Sequence, residues 1–341
     1  MMTNLCNYDI EKSEDLYSYF LTHQMMNEGE SFESKMLTGG VSNRTVLVTL
    51  ENEQYVVKQG LAKLRVTEDW FSDPERIHTE GRGMIALNNL LPEGQVPEFI
   101  YLDKKNNILI MKAIENPHDN FKDLLLTDAD HSKLVKQMAE LLASIHTASW
   151  NNKKLKSEFI DQKYFYQLRI NPFFKFTIDK YAEVSDWFDE NIFKYESIRN
   201  SLVHGDFSPK NILVKNDQLI LLDHEVIHYG DFAFDYGFSM AHLFLKGLHL
   251  ESKHALKYSE IYSKVYINKM NHLLSEEDIL RAQNLFLACV FARVAGKSKT
   301  NYLDLKKEKI IKKILLKWFS GKFEITKNIN KKLLNEVLNY G

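Results

Sequence analysis

Residues 202–225 constrain this chain most. They read Leu202-Val203-His204-Gly205-Asp206-Phe207-Ser208-Pro209-Lys210-Asn211-Ile212-Leu213-Val214, then a polar turn over Lys215-Asn216-Asp217-Gln218, then Leu219-Ile220-Leu221-Leu222-Asp223-His224-Glu225. Two short apolar runs joined by a polar turn spell a β-hairpin. Helical periodicity surrounds it. Leu134, Met138, Leu141, Leu142 and Ile145 recur at helical spacing, and helical patterns resume over 237–248, 254–270, 276–294 and 307–318. A hairpin set into a helical region, behind a strand-rich beginning, gives an α+β architecture.

The strand-rich part lies upstream. Thr45–Leu50 and Gln54–Lys58 flank the turn Glu51-Asn52-Glu53, and Phe99–Leu102 and Ile108–Met111 flank 103–107, which gives two hairpins. Glu11–Leu21 reads as a short helix. Pro74–Leu91 reads as another, opened by Asp73 as cap with Pro74 at the first position, although Gly81 and Gly83 each weaken it by about 1 kcal/mol. A boundary near Ala113–Pro117 divides a small, mostly antiparallel β lobe (1–113) from a larger, mostly helical one (114–341). At 341 residues a bilobal unit or two domains is expected.

Apolar residues at 44% and charged residues at 26% are ordinary for a globular protein. A net charge of −2 gives no global attraction to nucleic acid or membrane. Lysines outnumber acids between Lys306 and Lys332; a solvated helical face or an anionic partner surface both account for that. Cys6 and Cys289 are too few for a disulfide framework or a metal site. No run approaches a membrane span and no secretory signal is visible, so a cytoplasmic protein is expected.

The 202–225 stretch also carries chemistry. Asp206, Asn211, Asp223 and Glu225 supply what phosphoryl transfer needs: a carboxylate at the accepting hydroxyl and oxygen ligands for the magnesium that carries nucleotide phosphates. Asp206 is placed at the hydroxyl and Asn211 on the metal. His204 is read as holding the loop through its backbone, with direct action as the alternative. Asp223, delivered from the end of a strand, suits a metal ligand, and Glu225 a second metal position or a substrate hydroxyl. Asp235 is read as an acid that braces the loop.

Upstream, Gly39-Gly40 precedes a strand. Glycines let backbone amides approach phosphate, and Ser42 and Asn43 add side-chain donors; a plain turn is the alternative. Lys58 closes a strand, either as a snorkelling edge residue or as the cation on the phosphates. Glu80 falls on the helix stripe marked by Ile77, Met84, Leu87 and Leu91. A carboxylate there needs a partner, and Lys58 is the candidate; an exposed glutamate at the stripe's edge is the alternative. Met111 and Ala113 are further candidates for the nucleotide site. Gly296-Lys297-Ser298 fails as a Walker motif, because position 291 is Phe and no strand precedes it. Arg293, Lys297 and Lys299 form a cationic cluster suited to a substrate or to plain surface, and Arg293 is the candidate substrate contact. The aromatic segment 159–195 reads as core or as a cation-binding cage.

With these residues laid out, the chain resembles the aminoglycoside phosphotransferase / choline kinase superfamily over nearly its whole length. Gly39-Gly40-Val41-Ser42-Asn43 is similar to that family's phosphate loop, Lys58 and Glu80 to its ion pair, and His204-Gly205-Asp206 through Asn211 to its catalytic loop. The resemblance implies a bilobal protein-kinase-like fold and ATP with Mg2+, GTP replacing ATP in some members. Asp223-His224-Glu225 is similar to the Asp-x-Glu of the 5-methylthioribose kinases, as is Tyr55-Val56-Val57-Lys58-Gln59 followed by a loop with Arg65 and Trp70. Two positions depart from that group: Ala292-Arg293 stands where an arginine pair is expected, and Asn211 where serine is. The implied activity is transfer of the γ-phosphoryl group to a hydroxyl of a methylthioribose-like sugar or other small alcohol. An aminoglycoside acceptor is the alternative, and a pseudokinase acting through protein contacts a third. A homodimer is left open, and nucleic acid and membrane are not expected partners.

Overall fold

A computed structural model describes residues 8–37, 40–51, 53–66, 69–321 and 323–340. Gly39, assigned above to the phosphate loop, and Cys6 lie outside the described residues. The chain forms two compact units. The first comprises 1–118 together with 220–226, and the second 119–219 together with 227–341. The boundary expected from sequence stood at 113/114, with no return of the later segment to the first unit.

The first unit is built on one antiparallel sheet. Its strands are β1 (Phe32–Met36), β2 (Asn43–Leu50), β3 (Glu53–Gly60), β4 (Phe99–Asp103) and β5 (Ile108–Lys112), in the order β1-β2-β3-β5-β4. Both hairpins read from sequence are present, and β1 is an addition, short and polar enough to hide its period. One sheet face carries Val46, Val48, Leu50, Val57, Ile108 and Ile110, all buried against Leu16, Tyr19 and Phe20 of helix α1 (Ser13–Thr22). Because side chains alternate along a strand, this commits Lys58, beside Val57, to the opposite face. In the register Lys58 stands opposite Thr45 on β2 and Leu109 on β5.

Helix α2 (Arg76–Leu90) serves that opposite face. It begins two residues later than the sequence suggested: Asp73 caps a preceding turn, its carboxylate accepting from Glu75 N at 3.1 Å, and its carbonyl from Arg76 N. Ile77, Met84, Leu87 and Leu91 are buried. Gly81 explains its own presence, since a Cβ there would stand 3.4–3.5 Å from Phe99, Leu102 and Leu109 side chains. Close packing on the sheet outweighs the propensity cost.

The second unit is mostly helical. Its long helices are Ser132–Ser149, Ala233–Leu250, Tyr258–Met270, Glu276–Ala295, Leu305–Phe319 and Ile329–Leu338. The strands β6 (Asp119–Asn120), β7 (Ser201–Val203), β8 (Ile212–Lys215), β9 (Gln218–Leu221) and β10 (His228–Gly230) form two small sheets, β6-β8-β9 and β10-β7. β9 carries the chain from the second unit into the first. The aromatic segment is core: Phe165, Phe173, Phe174, Trp187 and Phe188 are buried, and part of it, Tyr166–Lys175, is a π-helix containing Pro172. The lysine-rich helix Leu305–Phe319 buries Ile311, Ile314, Leu315, Trp318 and Phe319, so its lysines form a solvated face. No helix among the described residues is long and apolar enough to cross a membrane.

Candidate active site

In the first unit the chemistry gathers around Lys58. Its Nζ lies 2.6 Å from Glu80 Oε1 and 2.7 Å from Asp223 Oδ1. Glu80 is 1% exposed, on the α2 stripe with Ile77 and Met84. Burial opposes the Lys58 charge, but Asp223, Glu80 and Glu225 outweigh it and hold the ammonium pKa above its ordinary value. Burial pushes the Glu80 carboxyl up, against the pull of Lys58. Asp223 sits at φ +67°, in the left-handed region. A non-glycine residue is held there at a cost of about 1–3 kcal/mol, which marks a backbone fixed by its surroundings.

Glu225 is the centre of a second, drier set. Its Oε2 accepts from Arg76 Nε at 3.0 Å and Asn43 Nδ2 at 2.9 Å. Arg76 is fully buried, at 0% exposure. It also donates through Nη1 to the carbonyls of Leu61 (2.9 Å), Asp73 (3.1 Å) and Ser72 (3.3 Å), and through Nη2 to Ser42 O and Asn43 Oδ1. The approach to β2 is thereby pinned. Ser42 and Asn43 are buried, with the Asn43 amide turned to Glu225 and to Ser42 Oγ (3.3 Å). Gly40 is exposed, and a Cβ there would meet nothing nearer than 3.9 Å, so packing does not demand the glycine. Met111 and Ala113 are buried, and the Ala113 N–H donates to Gln54 O at 2.9 Å.

Sequence reasoning missed Arg76. A signal was present: it stands one turn before Glu80 on the same face. A cation in the first turn opposes the helix dipole and so implies a carboxylate partner.

Three carboxylates meet here. Glu80, Asp223 and Glu225 each place an oxygen within 4.8 Å of the others, and Glu80 Oε2 is buried with no hydrogen-bond partner. Carboxylate oxygens in excess, one of them unsatisfied, fit a hard divalent cation.

In the second unit the loop after β7 is fixed by Asp235. Its carboxylate accepts from His204 N (2.6 Å) and Gly205 N (2.8 Å), with His146 Nε2 3.5 Å away. Asp235 therefore braces the loop. Burial alone would raise its pKa, but the neighbouring His146 and the Gly205 N–H hold it below the usual range. Gly205 has φ +76°, a conformation that side chains rarely adopt. His204 accepts from Asp206 N at 3.2 Å through Nδ1, which is the backbone-holding role.

Asp206 Oδ2 is held by Asn211 Nδ2 at 2.7 Å and Arg169 Nη2 at 2.8 Å. Asn211 Nδ2 also donates to Asp206 O at 3.0 Å, which turns the amide oxygen away from Asp206. Arg169 donates further to Gly205 O at 2.8 Å. It was missed because it sits inside the aromatic segment, on a π-helix that no apolar period reveals. The 293–299 cluster is only partly assembled. Arg293 donates to Ser298 Oγ at 2.8 Å, whereas Lys299 turns to Glu308 at 2.7 Å on the surface.

An antiparallel five-stranded sheet with a lysine–glutamate pair, and a helical unit with an aspartate–asparagine loop, define the protein-kinase-like class of fold. Comparison with known proteins narrows this. The chain belongs to the phosphotransferase enzyme family, whose model matches residues 34–249, more than half of it. It is 23% identical over 239 residues to methylthioribose kinase 1 of Oryza sativa subsp. japonica, covering 62% of this chain and 55% of that protein. It is 24% identical over 231 residues to methylthioribose kinase of Bacillus pumilus (strain SAFR-032), covering 58% and 56%. The chain thus spans little more than half the length of these curated relatives. Among solved structures, a putative aminoglycoside phosphotransferase from Ralstonia eutropha JMP134 superposes with a TM-score of 0.57 at 16% identity, over 94% of this chain and 98% of that one. That likeness extends to the fold.

Proposed function

We propose that the protein is an ATP-dependent small-molecule kinase that phosphorylates a hydroxyl of a sugar-like alcohol. The observation that carries this is the Lys58 ammonium clasped by Glu80 and Asp223 at 2.6 and 2.7 Å. A half-buried cation held between two carboxylates has a fixed position, as a phosphate-binding lysine requires. Family membership supports the same reading.

In this mechanism Lys58 binds nucleotide phosphate, and Glu80 positions Lys58. Asp223, with Glu225 beside it, would hold a divalent ion, Mg2+ being the expected one, and Asn211 of the second unit offers its amide oxygen as a further candidate donor. Bound together, nucleotide and metal supply the phosphoryl group and neutralise the charge spread over its oxygens. Asp206 takes the proton of the acceptor hydroxyl as that oxygen bonds to the γ-phosphorus, and the bond to the bridging oxygen breaks to leave ADP. Arg169 and Asn211 keep the Asp206 carboxylate oriented. Gly40 would contact the phosphates, and Met111 and Ala113 the base.

The acceptor to assay first is methylthioribose. The relatives named as its kinases and the Asp223-His224-Glu225 sequence favour it over an aminoglycoside. ADP release would be followed with methylthioribose, amino sugars, choline and simple polyols. Asp206→Asn should lower kcat by about 10²–10⁴ while nucleotide affinity changes only a few-fold. Undiminished turnover in that variant would refute the base assignment. Nucleotide binding without ADP release from any acceptor would favour a pseudokinase.

A further inference from the structure

The second unit contains a positive cluster that this chemistry does not use. On the helix Ala233–Leu250, Phe238, His242 and Lys246 recur at i, i+4 spacing and share one face. Lys246 is 2% exposed and His242 8%. Among the described residues Lys246 makes no ion pair; its Nζ lies over the Tyr302 ring, 5.0 Å from the centroid. Arg293, on the helix Glu276–Ala295, likewise has no carboxylate within ion-pair distance, and its Nη1 goes to Ser298. Three buried polar atoms around it have no hydrogen-bond partner: Arg293 Nε, His242 Nε2 and Tyr302 Oη.

The cluster adjoins Asp206. The Arg293 and Arg169 guanidiniums stand 6.0 and 5.7 Å from the centre of the same Phe173 ring. Arg169 also lies 5.9 Å from the Phe238 ring, which is 4.7 Å from His242. Arg169 is the residue paired with Asp206 at 2.8 Å. Its carboxylate is in contact, while Arg293 and Lys246 feel only Asp206 and Asp123 at longer range and, among the described residues, pair with neither.

Burying an unmatched cation is costly, and the consequences are visible. Burial and then Arg293 push the Lys246 ammonium down to about 7. Burial, followed by Lys246 and Arg293, presses His242 well below its ordinary value. Burial lowers Arg293 as well. Folding has collected positive charge and left donors unpaired beside the loop that carries the proposed base. An oxyanion satisfies such a set, because charge-assisted hydrogen bonds to carboxylate or phosphate are the strong ones. A polycationic acceptor is repelled, and a neutral sugar leaves the charges unmatched.

We propose that Lys246, Arg293 and Tyr302 form a subsite for an oxyanion, carboxylate or phosphate, carried by the acceptor molecule. This rests on the kinase reading above, in which Asp206 meets the acceptor hydroxyl. Within the sugar-like alcohols proposed above, the acceptor class narrows to anionic polyols, such as a sugar acid or a sugar phosphate, and neutral methylthioribose becomes the competing outcome of the test.

Binding and turnover separate the two ideas. Inorganic phosphate and malonate, titrated into the intact protein, should raise its melting temperature, with choline as the cationic control. In Lys246→Met and in Arg293→Gln, with folding checked by circular dichroism, the apparent Kd for these anions should rise at least about tenfold. No stabilisation of the wild type, or equal stabilisation of both variants, overturns the subsite. ADP release would then compare ribose 5-phosphate with ribose, and gluconate with glucose, which also tells phosphate from carboxylate. A preference for the anionic member that collapses in either variant supports the proposal; a preference for the neutral member overturns it. Anion binding lost in both variants, with no ADP release from any acceptor, faults the kinase reading and leaves the subsite standing.

Discussion

Arg76 and Glu225 offer the sharpest test of the forces in the first unit. Arg76 is 0% exposed and Glu225 5%, and they meet at 3.0 Å. Arg76→Met removes the cation but leaves Glu225 inside, with Asn43 Nδ2 as its remaining donor on Oε2. Breaking a buried pair from one side costs about 3–5 kcal/mol, because the surviving charge is stranded. Glu225→Gln should cost less, about 1–3 kcal/mol, since the guanidinium keeps the carbonyls of Ser42, Leu61, Ser72 and Asp73. In the double variant neither charge is stranded, so its cost should fall short of the sum by about 0.5–3 kcal/mol. Urea denaturation followed by circular dichroism, fitted as separate transitions where the two units part, gives the readout. At an m-value of about 1–3 kcal/mol/M, Arg76→Met should move its midpoint down by at least about 1 M with m unchanged. Single-variant costs under about 1 kcal/mol, or a double variant equal to the sum, would refute the stranded-charge argument. The pair would then be a solvated contact despite its burial.

Two further outcomes follow from the sites as drawn. Asp223→Ala should weaken metal-dependent nucleotide binding by at least about tenfold and make the remaining affinity insensitive to chelator. Affinity unchanged by the substitution, with chelator still effective, would remove Asp223 from the ligand set. Asp235→Asn leaves one of two buried loop N–H groups unpaired, a loss of about 1–3 kcal/mol at neutral pH. The Asp235 pKa is lowered in the folded state, so its stabilisation is complete above the unfolded value of about 3.9 and fades as pH falls through the folded one. Melting temperatures between pH 3 and 7 should therefore show the gap between wild type and Asp235→Asn closing below about pH 4; a gap constant with pH contradicts the assignment.

The sequence displayed those parts of the molecule in which a local rule and a tertiary demand coincide. The β2–β3 and β4–β5 hairpins alternate cleanly because one sheet face meets α1. Glu80 was legible because a carboxylate on an apolar stripe violates the pattern unless something answers it, and Lys58 does. Asp235 was legible as a brace because it lies shortly beyond the loop whose amides it takes. What stayed hidden has a common cause, which is dependence on partners remote in sequence. Arg76 meets Glu225 across 149 positions, and Arg169 meets Asp206 from a π-helix whose period matches no template. The return of 220–226 to the first unit leaves no compositional trace, since a strand that changes unit keeps its apolar pattern.

The hidden arginines alter the meaning of the visible acids. Read alone, Asp206, Asp223 and Glu225 suggest one acidic site. With their partners restored, two sets of opposite sign emerge. Around Lys58 three carboxylates face two cations, and one oxygen of Glu80 is unsatisfied. Around Asp206 a single carboxylate is paired to Arg169, while among the described residues Arg293 and Lys246 have no carboxylate within ion-pair distance, and only Asp206 and Asp123 act on them from further off. Neither excess helps folding, since an unmatched buried charge only subtracts from stability. Under the two proposals above, each would be answered by a ligand of the opposite sign, a divalent cation at the first and an oxyanion at the second. Stability measured with and without each ligand should therefore rise at both places by mass action, and the second rise separates this chain from a kinase built for a cationic acceptor.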